Sequence, residues 1–591
     1  MFVSLLLICL HIAGLGNCGY VRVAETTPVS DLFDEFWDWR LDRSPEFSTM
    51  VGSREHNDIL EQFTETRFNE DLASCQEFKS RAEELLSSTT DQEQNLNLRF
   101  FIAELQTFIS GFPFTGFYYP MNYMEGVQVD FQKLIEWGPP ATIKDYDDII
   151  SRYSKFSTLA EQIVGMMRKG MTMNRTNNAV SMEGVEEQCR SHLGEPKETV
   201  FFEPFKTLNF TSEENSRLQA EAYSAIESSV QSGFMILADF LSAEYASATR
   251  PEIGASSVSP EYYKACLAFH TSTNLTAEQI HQKGLDEVER IEEEMREIVK
   301  EMGLNLTLPE FIEMLRTDEN NFFNSPQELL DSFKDIIENK INQELLKIFH
   351  SKPTTKLEIT EVPANIPDAP AAYYIAGTPD GTRPGRLYVN THKYQSQPRY
   401  EMISLSLHET NPGHHLQGSY MLERTEWPKF RKSMEDRIYS QTPTRFPINT
   451  AYTEGWGLYS ESLGFDMGLY SNPLDRYGHL SEEIFRACRL VVDTGMHALG
   501  WTREQAVEFM LTHTAASQEN IRGEVNRYVT WPGQATGYKI GQMKIRELRT
   551  TAETKLGDKF NIKDFHEVVL QAAGPLYILE QQVQQYIDNN M

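Results

Sequence analysis

The chain has 591 residues, with 54 Lys and Arg against 86 Asp and Glu, which gives a formal net charge of -32. A protein that binds a phosphate backbone needs a basic surface, so this balance argues against nucleic acid as a partner. Hydrophobic residues make up 40% of the chain, which is enough apolar surface for a core and excludes a mainly disordered protein.

The first 18 residues are typical of a secretory signal peptide. An apolar run covers residues 2–12, and small residues follow it up to Cys18. A transmembrane anchor needs about 20 apolar residues, a length that no segment of the chain reaches. A lipoprotein signal is disfavoured because Asn17 precedes Cys18, where a small residue is expected. We therefore expect cleavage near Cys18, a secreted or extracellular protein, and no stable membrane association.

Four cysteines remain beyond the signal peptide. They are Cys75, Cys189, Cys266 and Cys488. In an oxidising compartment they could form two disulfides with three possible connectivities, and their spacing favours none of the three. Four N-glycosylation sequons begin at Asn174, Asn209, Asn274 and Asn305. Both features are consistent with an exported glycoprotein.

Helical patterns dominate residues 30–350. Residues 216–247 predict a long helix with one apolar stripe. The stripe comprises Ala222, Ile226, Val230 and Phe234. Thr276–Gln279 is a capping box that opens a long charged amphipathic run, and Ser325–Glu328 opens another helix with Pro326 at its first position. These signals predict a helical amino-terminal part.

A proline-rich segment with two strand-like runs follows, over about residues 351–395. Its prolines break any helix, while Lys356–Val362 alternates like a strand and Gly385–Asn390 is typical of a second strand. The pattern is helical again over about residues 400–591. The sequence thus predicts a mainly α protein with a small β-sheet, folded as a single domain over residues 19–591.

The residues that could carry chemistry begin at His408 and Glu409. This pair matches the start of the H-E-x-x-H zinc signature, in which two histidines one helical turn apart hold the metal and the glutamate acts on its water. Pro412 occupies the place of the second histidine, and the next candidates are His414 and His415.

The proline bears on which of these two histidines could bind. In a continuous helix, position i+7 lies about 10.5 Å along the axis from position i, too far for two ligands to share one ion. Because Pro412 cannot continue the helical hydrogen bonds and would clash with the carbonyl of His408, we expect a widened turn there. Such a turn would bring His414 into the position of the second ligand, with His415 as the alternative.

Zinc sites of this type take a third ligand from a later helix. Residues 450–465 form a helix-like stretch with two carboxylates, Glu454 and Glu461, which are seven residues apart and on one face. One of them could bind the metal while the other supports a ligand from behind. We assign Glu454 as the ligand.

The carboxy-terminal half as a whole resembles the family called domain of unknown function 885. Four blocks carry the resemblance: His408–Gln417, Glu454–Glu461, Arg489–His497 and Tyr528–Tyr538. This family is similar to the gluzincin metallopeptidases. The resemblance implies a mostly helical fold with a deep substrate channel, a single zinc ion, and a glutamate from a later helix as third ligand, in agreement with Glu454.

The last two blocks add candidates for contacts with a substrate. Arg489, Asp493 and His497 are spaced i, i+4, i+8 and form one stripe of a helix. Arg489 could bind a substrate carboxylate and His497 could donate to an oxyanion, although the stripe could equally be a buried ion-pair network. Relatives with the gluzincin fold place a tyrosine opposite the zinc, which implies this role for Tyr528 or Tyr538.

The predicted function is that of a secreted zinc metallopeptidase acting on short peptides. Glu409 would act as general base, and Tyr528 or His497 would stabilise the oxyanion. The family relatives imply a carboxypeptidase-like action. The alternatives are a non-catalytic exported binding protein on the same fold, and a zinc hydrolase of another amide or ester.

A peptide substrate also needs a backbone partner. As in gluzincins, the strand Leu387–Asn390 before the zinc helix is expected to be a sheet edge. An extended peptide could pair with such an edge through main-chain hydrogen bonds.

Overall fold

The protein is mainly helical with one small sheet, as the sequence predicts. A computed structural model describes residues 27–363, 370–378, 381, 383–433 and 439–591. The predicted signal peptide, residues 1–18, lies outside the described residues.

The α-helices lie on both sides of the sheet in sequence. Those before it are α1 (Pro28–Arg43), α2 (Pro45–Met50), α3 (Glu65–Ser88), α4 (Gln92–Gly111), α5 (Val127–Asp130), α6 (Lys133–Trp137), α7 (Ile143–Thr172), α8 (Val185–Arg190), α9 (Glu203–Lys206), α10 (Ser212–Ala225), α11 (Gln231–Phe240), α12 (Pro260–Thr271), α13 (Ala277–Glu301), α14 (Leu308–Thr317), α15 (Pro326–Asp335) and α16 (Asn342–Glu344). The strands are β1 (Leu357–Glu361), β2 (Ala372–Ile375) and β3 (Gly385–Val389). The helices after it are α17 (Met402–Glu409), α18 (His414–Glu423), α19 (Lys429–Lys432), α20 (Thr450–Met467), α21 (Pro473–Ala498), α22 (Arg503–His513), α23 (Gln518–Thr530), α24 (Gln534–Leu556), α25 (Ile562–Gln571) and α26 (Leu576–Asn590).

The predicted helix starts are confirmed. Thr276 caps α13 in a capping box, and the Ser325 side chain accepts a backbone hydrogen bond at the start of α15. The long helix predicted over 216–247 consists of α10 and α11, with π-helical turns at Ile226–Val230 and Leu241–Tyr245. Its predicted apolar stripe is fully buried.

The sheet has the order β1-β3-β2, with β1 parallel and β2 antiparallel to β3. Both predicted strands are confirmed, whereas β2 is a four-residue run too short to show an alternating pattern. The expectation that Leu387–Asn390 forms a sheet edge is wrong. β3 is the central strand, so its backbone groups pair with strands on both sides.

Glycines allow α20 and α24 to approach closely. A β-carbon on Gly455 of α20 would lie 2.5 Å from the backbone of Gly541 in α24. One turn earlier, a β-carbon on Gly537 would lie 2.7 Å from the side chain of Thr450. Backbones can come this close only where both positions lack bulky side chains. The helix that carries Glu454 is therefore held tightly against α24.

The four cysteines after the predicted signal peptide are free thiols, so the expectation of disulfides is wrong. Two sulfurs must come within about 2 Å to pair. Instead, each cysteine is buried in a different hydrophobic cluster of the core. These cysteines are Cys75, Cys189, Cys266 and Cys488.

The protein surface carries the acceptor asparagines of all four sequons, each of which is exposed. Exposure is what N-glycosylation requires. No helix in the described ranges combines the length and the apolar character needed to cross a bilayer.

Candidate metal centre

The chain breaks between the two histidines that the sequence selects as ligands. α17 ends at Glu409 and α18 begins at His414, so the expected widened turn is a complete interruption of the helix. The Pro412 nitrogen has no hydrogen to donate to the preceding turn. Gly413 donates its backbone N–H to a carbonyl in the last turn of α17 at 3.0 Å, which folds the chain back. This fold-back brings His414 beside His408.

Two residues hold the fold-back in place. A β-carbon on Gly413 would lie 1.8 Å from the carbonyl oxygen of His408, so only glycine fits at this position. Trp456 of α20 donates its indole N–H to the carbonyl of Pro412 at 2.8 Å. The position of His414 therefore depends on the packing of α20 as well as on the local turn.

His408, His414 and Glu454 converge at one point. The Nε2 atoms of His408 and His414 lie 3.5 Å and 3.3 Å from Oε2 of Glu454. The ligand atoms of the three residues all lie within 4.8 Å of one another. The two imidazole rings are nearly perpendicular, at 87°, with centroids 4.8 Å apart.

This set of donors fits a tetrahedral zinc ion. Zinc bonds of about 2.0–2.2 Å to nitrogen and oxygen place neighbouring ligand atoms about 3.3 Å apart, close to the two distances above. Three protein ligands leave the fourth position for water or substrate. The His408 side chain is 3% exposed, whereas His414 and Glu454 are 15% and 22% exposed. The cluster is therefore accessible on the side of His414 and Glu454.

Glu461 lies behind His408. Its Oε1 is 2.8 Å from Nδ1 of His408, the ring nitrogen that faces away from Glu454, and its Oε2 accepts a hydrogen bond from Ser404 at 2.7 Å. A carboxylate in this position fixes the tautomer and the orientation of a metal-binding histidine. Gly457 lies against the ring itself, since a β-carbon there would come 2.8 Å from it. The geometry agrees with the predicted division of roles between Glu454 and Glu461.

The electrostatics of the cluster are those of closely packed opposite charges. Burial alone would lower the pKa of His408, but hydrogen bonds to Glu454 and Glu461 raise it to about 9. Burial would raise the pKa of Glu454, yet the two histidines hold it well below its usual range. The Glu454 carboxylate is therefore ionised at the centre of the cluster, where a metal cation could bind in place of the histidine protons.

Glu409 lies next to this cluster at the end of α17. Burial raises the pKa of its carboxyl, and the charges of His408 and His414 offset part of that rise. No group in the described part of the chain hydrogen-bonds its carboxylate. The carboxylate is therefore available to accept a proton from a water molecule or a substrate.

His415, the alternative ligand, points elsewhere. Its Nδ1 lies 3.1 Å from the hydroxyl of Tyr374 in β2. Burial lowers its pKa to about 4, so the ring is neutral at ordinary pH. The geometry favours His414 over His415 as the second ligand.

His497 does not have the free donor that an oxyanion role requires. Its Nε2 lies 2.8 Å from the carbonyl oxygen of Tyr528, to which it must donate, and its Nδ1 accepts the backbone N–H of Ala255 at 3.0 Å. Burial lowers its pKa to about 4, so the ring has no second hydrogen to give. The oxyanion role suggested for His497 is therefore corrected to a structural one.

The two candidate tyrosines differ in what their hydroxyls already bind. Tyr528 donates to Glu524 at 2.8 Å and accepts from Arg489 at 3.0 Å, and it is 1% exposed. The Tyr538 hydroxyl accepts from Arg527 at 3.0 Å and donates to no group in the described residues. Tyr538, the alternative in the sequence, is thus the tyrosine whose proton is available.

Asp493, the middle residue of the predicted stripe on α21, is not part of an ion pair in the described part of the chain. Asp493 accepts hydrogen bonds from the hydroxyl of Tyr263 at 2.6 Å and from the backbone N–H of Gly533 at 3.1 Å. It connects α21 to α12 and to the start of α24. Its role is structural, but Asp493 acts as a hydrogen-bond acceptor for neutral groups and not as a member of the ion-pair network that the sequence suggests.

Several residues that shape the site carry no reactive group, and sequence reasoning missed them. They include Gly413, Trp456 and Gly457, together with Arg486, whose Nη2 lies 3.9 Å from Oε1 of Glu461. The only available signal was the Gly-Trp-Gly run inside a predicted helix. Glycine there is unfavourable unless another group approaches the backbone closely.

Fold and site together define a mainly helical protein with a cluster of two histidines and one carboxylate. The chain belongs to the family described as bacterial protein of unknown function, domain of unknown function 885, whose model matches residues 45–583. The family expected from the sequence is therefore confirmed. No curated protein shows significant similarity to the chain.

Solved structures share this fold along their whole length. A predicted lipoprotein from Colwellia psychrerythraea is 27% identical, with a TM-score of 0.86, over 95% of this chain and 99% of that chain. A predicted lipoprotein of unknown function from Shewanella oneidensis is 19% identical, with a TM-score of 0.71, over 95% and 100% of the two chains. The second likeness concerns the fold alone.

Proposed function

We propose that the protein is an exported zinc metallopeptidase that hydrolyses short peptides. The observation that carries this proposal is the convergence of His408, His414 and Glu454, with Glu409 beside them and Glu461 behind His408. Two imidazoles, one carboxylate and a neighbouring glutamate are the groups that zinc peptidases use. The motif resemblance to gluzincins and their substrate channel supports the same proposal.

Each residue has a defined part in the reaction. A bound zinc ion would supply Lewis acidity and activate a water molecule. Glu409 takes the proton of the attacking water and passes it to the leaving amine, and its raised pKa makes it a stronger base than an exposed glutamate. Tyr538 donates its free hydroxyl proton to the carbonyl oxygen of the substrate as charge develops there.

The edge of the sheet beside the metal ligands suits an extended peptide as the substrate. Among the described residues β2 is an edge of the sheet, and Tyr374 of β2 contacts His415, the neighbour of His414. A peptide that adds to this edge would pass close to the metal ligands. The strand that would pair with the peptide backbone is therefore β2 and not, as the sequence suggested, β3.

The decisive experiment combines metal analysis with a peptide-library screen on the wild type and Glu409→Gln. We expect one equivalent of zinc in both proteins and hydrolysis in the wild type alone. Glu519→Gln, a change at an exposed glutamate of α23, serves as a control that keeps both properties. A wild type that holds no metal after zinc is supplied, or hydrolysis that persists in Glu409→Gln, would overturn the proposal.

The two alternatives give different results in this experiment. A non-catalytic binding protein would hold metal and hydrolyse no peptide. A hydrolase of another amide or ester would be inactive on peptides and active on a panel of such compounds. Export is supported by the signal-like segment at residues 1–18 and by the similar structures, which are those of predicted lipoproteins.

A further inference from the structure

An arginine cluster lies between α21, α23 and α24. It consists of Arg489, Glu524, Arg527 and Tyr538. Glu524 lies 2.8 Å from Nη2 of Arg489 and 3.5 Å from Nη1 of Arg527. The Tyr538 ring packs under Arg489, with 4.4 Å from the ring centroid to Cζ, while its hydroxyl accepts from Arg527.

The arginine cluster carries more positive than negative charge. Burial would raise the pKa of Glu524, but Arg489 and Arg527 lower it to about 2, so this carboxylate is ionised at neutral pH. Two guanidinium groups then share one carboxylate. A nearby carboxylate, Glu125, is already paired with Arg445 at 3.0 Å. The cluster thus keeps a net positive charge in a chain whose overall charge is -32.

Some donors of the arginine cluster are unused. Nη1 of Arg489 and Nε of Arg527 are buried and have no hydrogen-bond partner in the described part of the chain. Buried donors of charged groups are costly when unpaired, and such atoms are rare in folded proteins. Arg489 is 6% exposed, whereas Arg527 and Glu524 are 17% and 18% exposed. An anion could therefore approach the cluster from the side of Arg527.

The arginine cluster is close to the metal ligands along two independent paths. On α21, Arg486 lies 3.9 Å from Glu461, and Arg489 follows about one helical turn later. On α24, Tyr538 follows Gly537, whose backbone packs against Thr450 one turn before Glu454. A turn rises about 5.4 Å and an extended residue spans about 3.3–3.6 Å. A peptide of a few residues could therefore contact both sites.

We propose that the arginine cluster binds the terminal carboxylate of the peptide substrate, so that the enzyme acts at the carboxyl end. This inference rests on the proposed function. A carboxylate pairs well with the planar fork of a guanidinium group, and here it would balance the surplus positive charge. Arg527 is the principal contact because it is the more accessible of the two arginines.

The test measures binding and needs no turnover. N-acetyl-Gly-Gly-Phe is titrated into Glu409→Gln by calorimetry, as the free acid and as the carboxyl-terminal amide. We expect the acid to bind about tenfold more tightly, the effect of one charged hydrogen-bonded contact. Adding Arg527→Gln should reduce the ratio to about one. Arg522→Gln, an exposed arginine on the same helix that pairs with Glu504, should leave the ratio unchanged.

A second variant predicts a change of opposite sign. Glu524→Gln keeps the size of the side chain and removes the only negative charge of the cluster, so the preference for the acid should increase several-fold. This variant tests carboxylate binding by the cluster even if Arg527→Gln fails to fold. Equal binding of acid and amide to Glu409→Gln, or a ratio that neither variant changes, would overturn the inference.

Two further sets of titrations distinguish terminal-carboxylate binding from peptide hydrolysis and from the binding of an inorganic anion. The titrations are repeated on chelator-treated protein, where a preference for the acid that persists shows carboxylate recognition even if no peptide is ever hydrolysed. They are also repeated with sodium chloride as competitor. If chloride binds in an Arg527-dependent manner while acid and amide bind equally, the cluster takes an inorganic anion and the inference fails.

Discussion

The carboxylate of Glu461 is in direct contact with the imidazole of His408, with 2.8 Å between Oε1 and Nδ1. The two side chains are 0% and 3% exposed, so water does not compete for this contact. Ser404 holds the other oxygen of Glu461 at 2.7 Å. The orientation of His408 is therefore set by a residue that lies on another helix and far along the chain.

Glu461→Gln should weaken zinc binding by about 10–100-fold, the usual effect of losing a carboxylate behind a metal-binding histidine. Glutamine keeps the shape but removes the charge that orients the ring. Competition with a chelator of known affinity measures the change. Ser462→Ala, a change at the neighbouring position, is the control. An unchanged zinc affinity in Glu461→Gln would contradict the assignment.

His414→Ala should abolish zinc binding, whereas His415→Ala should retain it. Only His414 has its Nε2 atom near Glu454, at 3.3 Å, while His415 contacts Tyr374. Elemental mass spectrometry of the two purified variants measures the bound metal. Loss of zinc from His415→Ala with retention in His414→Ala would reverse the choice of ligand.

Gly457→Ala should reduce zinc affinity without unfolding the protein. The new β-carbon would come 2.8 Å from the His408 ring and displace it, although alanine favours the helix itself. Gly523→Ala is the matched control, because a β-carbon there meets nothing within 4 Å. That control should keep zinc and gain about 0.5–1 kcal/mol of stability. Equal zinc affinity in both variants would show that the ring tolerates displacement.

Tyr538→Phe should lower kcat by about 10²–10³ and leave zinc bound, the usual cost of losing one oxyanion donor. Tyr528→Phe should mainly lower the thermal unfolding midpoint, because Glu524 and Arg489 each lose one buried hydrogen bond. Steady-state kinetics and thermal unfolding of both variants give the comparison. If Tyr528→Phe alone loses activity while remaining stable, the oxyanion donor is Tyr528 and not Tyr538.

Asp493→Asn should change how stability depends on pH. Burial raises the pKa of Asp493 to about 7, whereas an aspartate in the unfolded chain has a pKa of about 4. The folded protein keeps this proton over a range where the unfolded chain releases it. The stability from this group is therefore complete below about pH 4 and is lost as pH rises towards 7.

Relative to the wild type, Asp493→Asn should thus gain up to about 1.4 kcal/mol per pH unit between pH 5 and 7. Urea unfolding midpoints at the two pH values measure the gain. Asp558→Asn, at an exposed position, should show no such trend. A stability difference that stays constant with pH would mean that Asp493 is already ionised at pH 5.

Local signals in the sequence predicted the features that depend on neighbouring residues. The caps at Thr276 and Ser325, the mainly helical class and the two longer strands follow from spacing within a few residues. The same holds for the choice of His408 and Glu409, because their chemistry is visible in the residue types. Hydrogen bonds and apolar periodicity over one or two turns determine such features wherever the segment packs.

Tertiary structure alone decided how those residues are used. His414 rather than His415 meets Glu454 because Gly413 and Trp456 fold the chain back at Pro412. The same is true of the central position of β3, the free thiols in separate clusters and the engaged ring of His497. Each depends on contacts between segments far apart in the chain, and spacing along one segment carries no information about them. The sequence by itself determined which groups are present, and the packing of α17, α18 and α20 determined which of them meet.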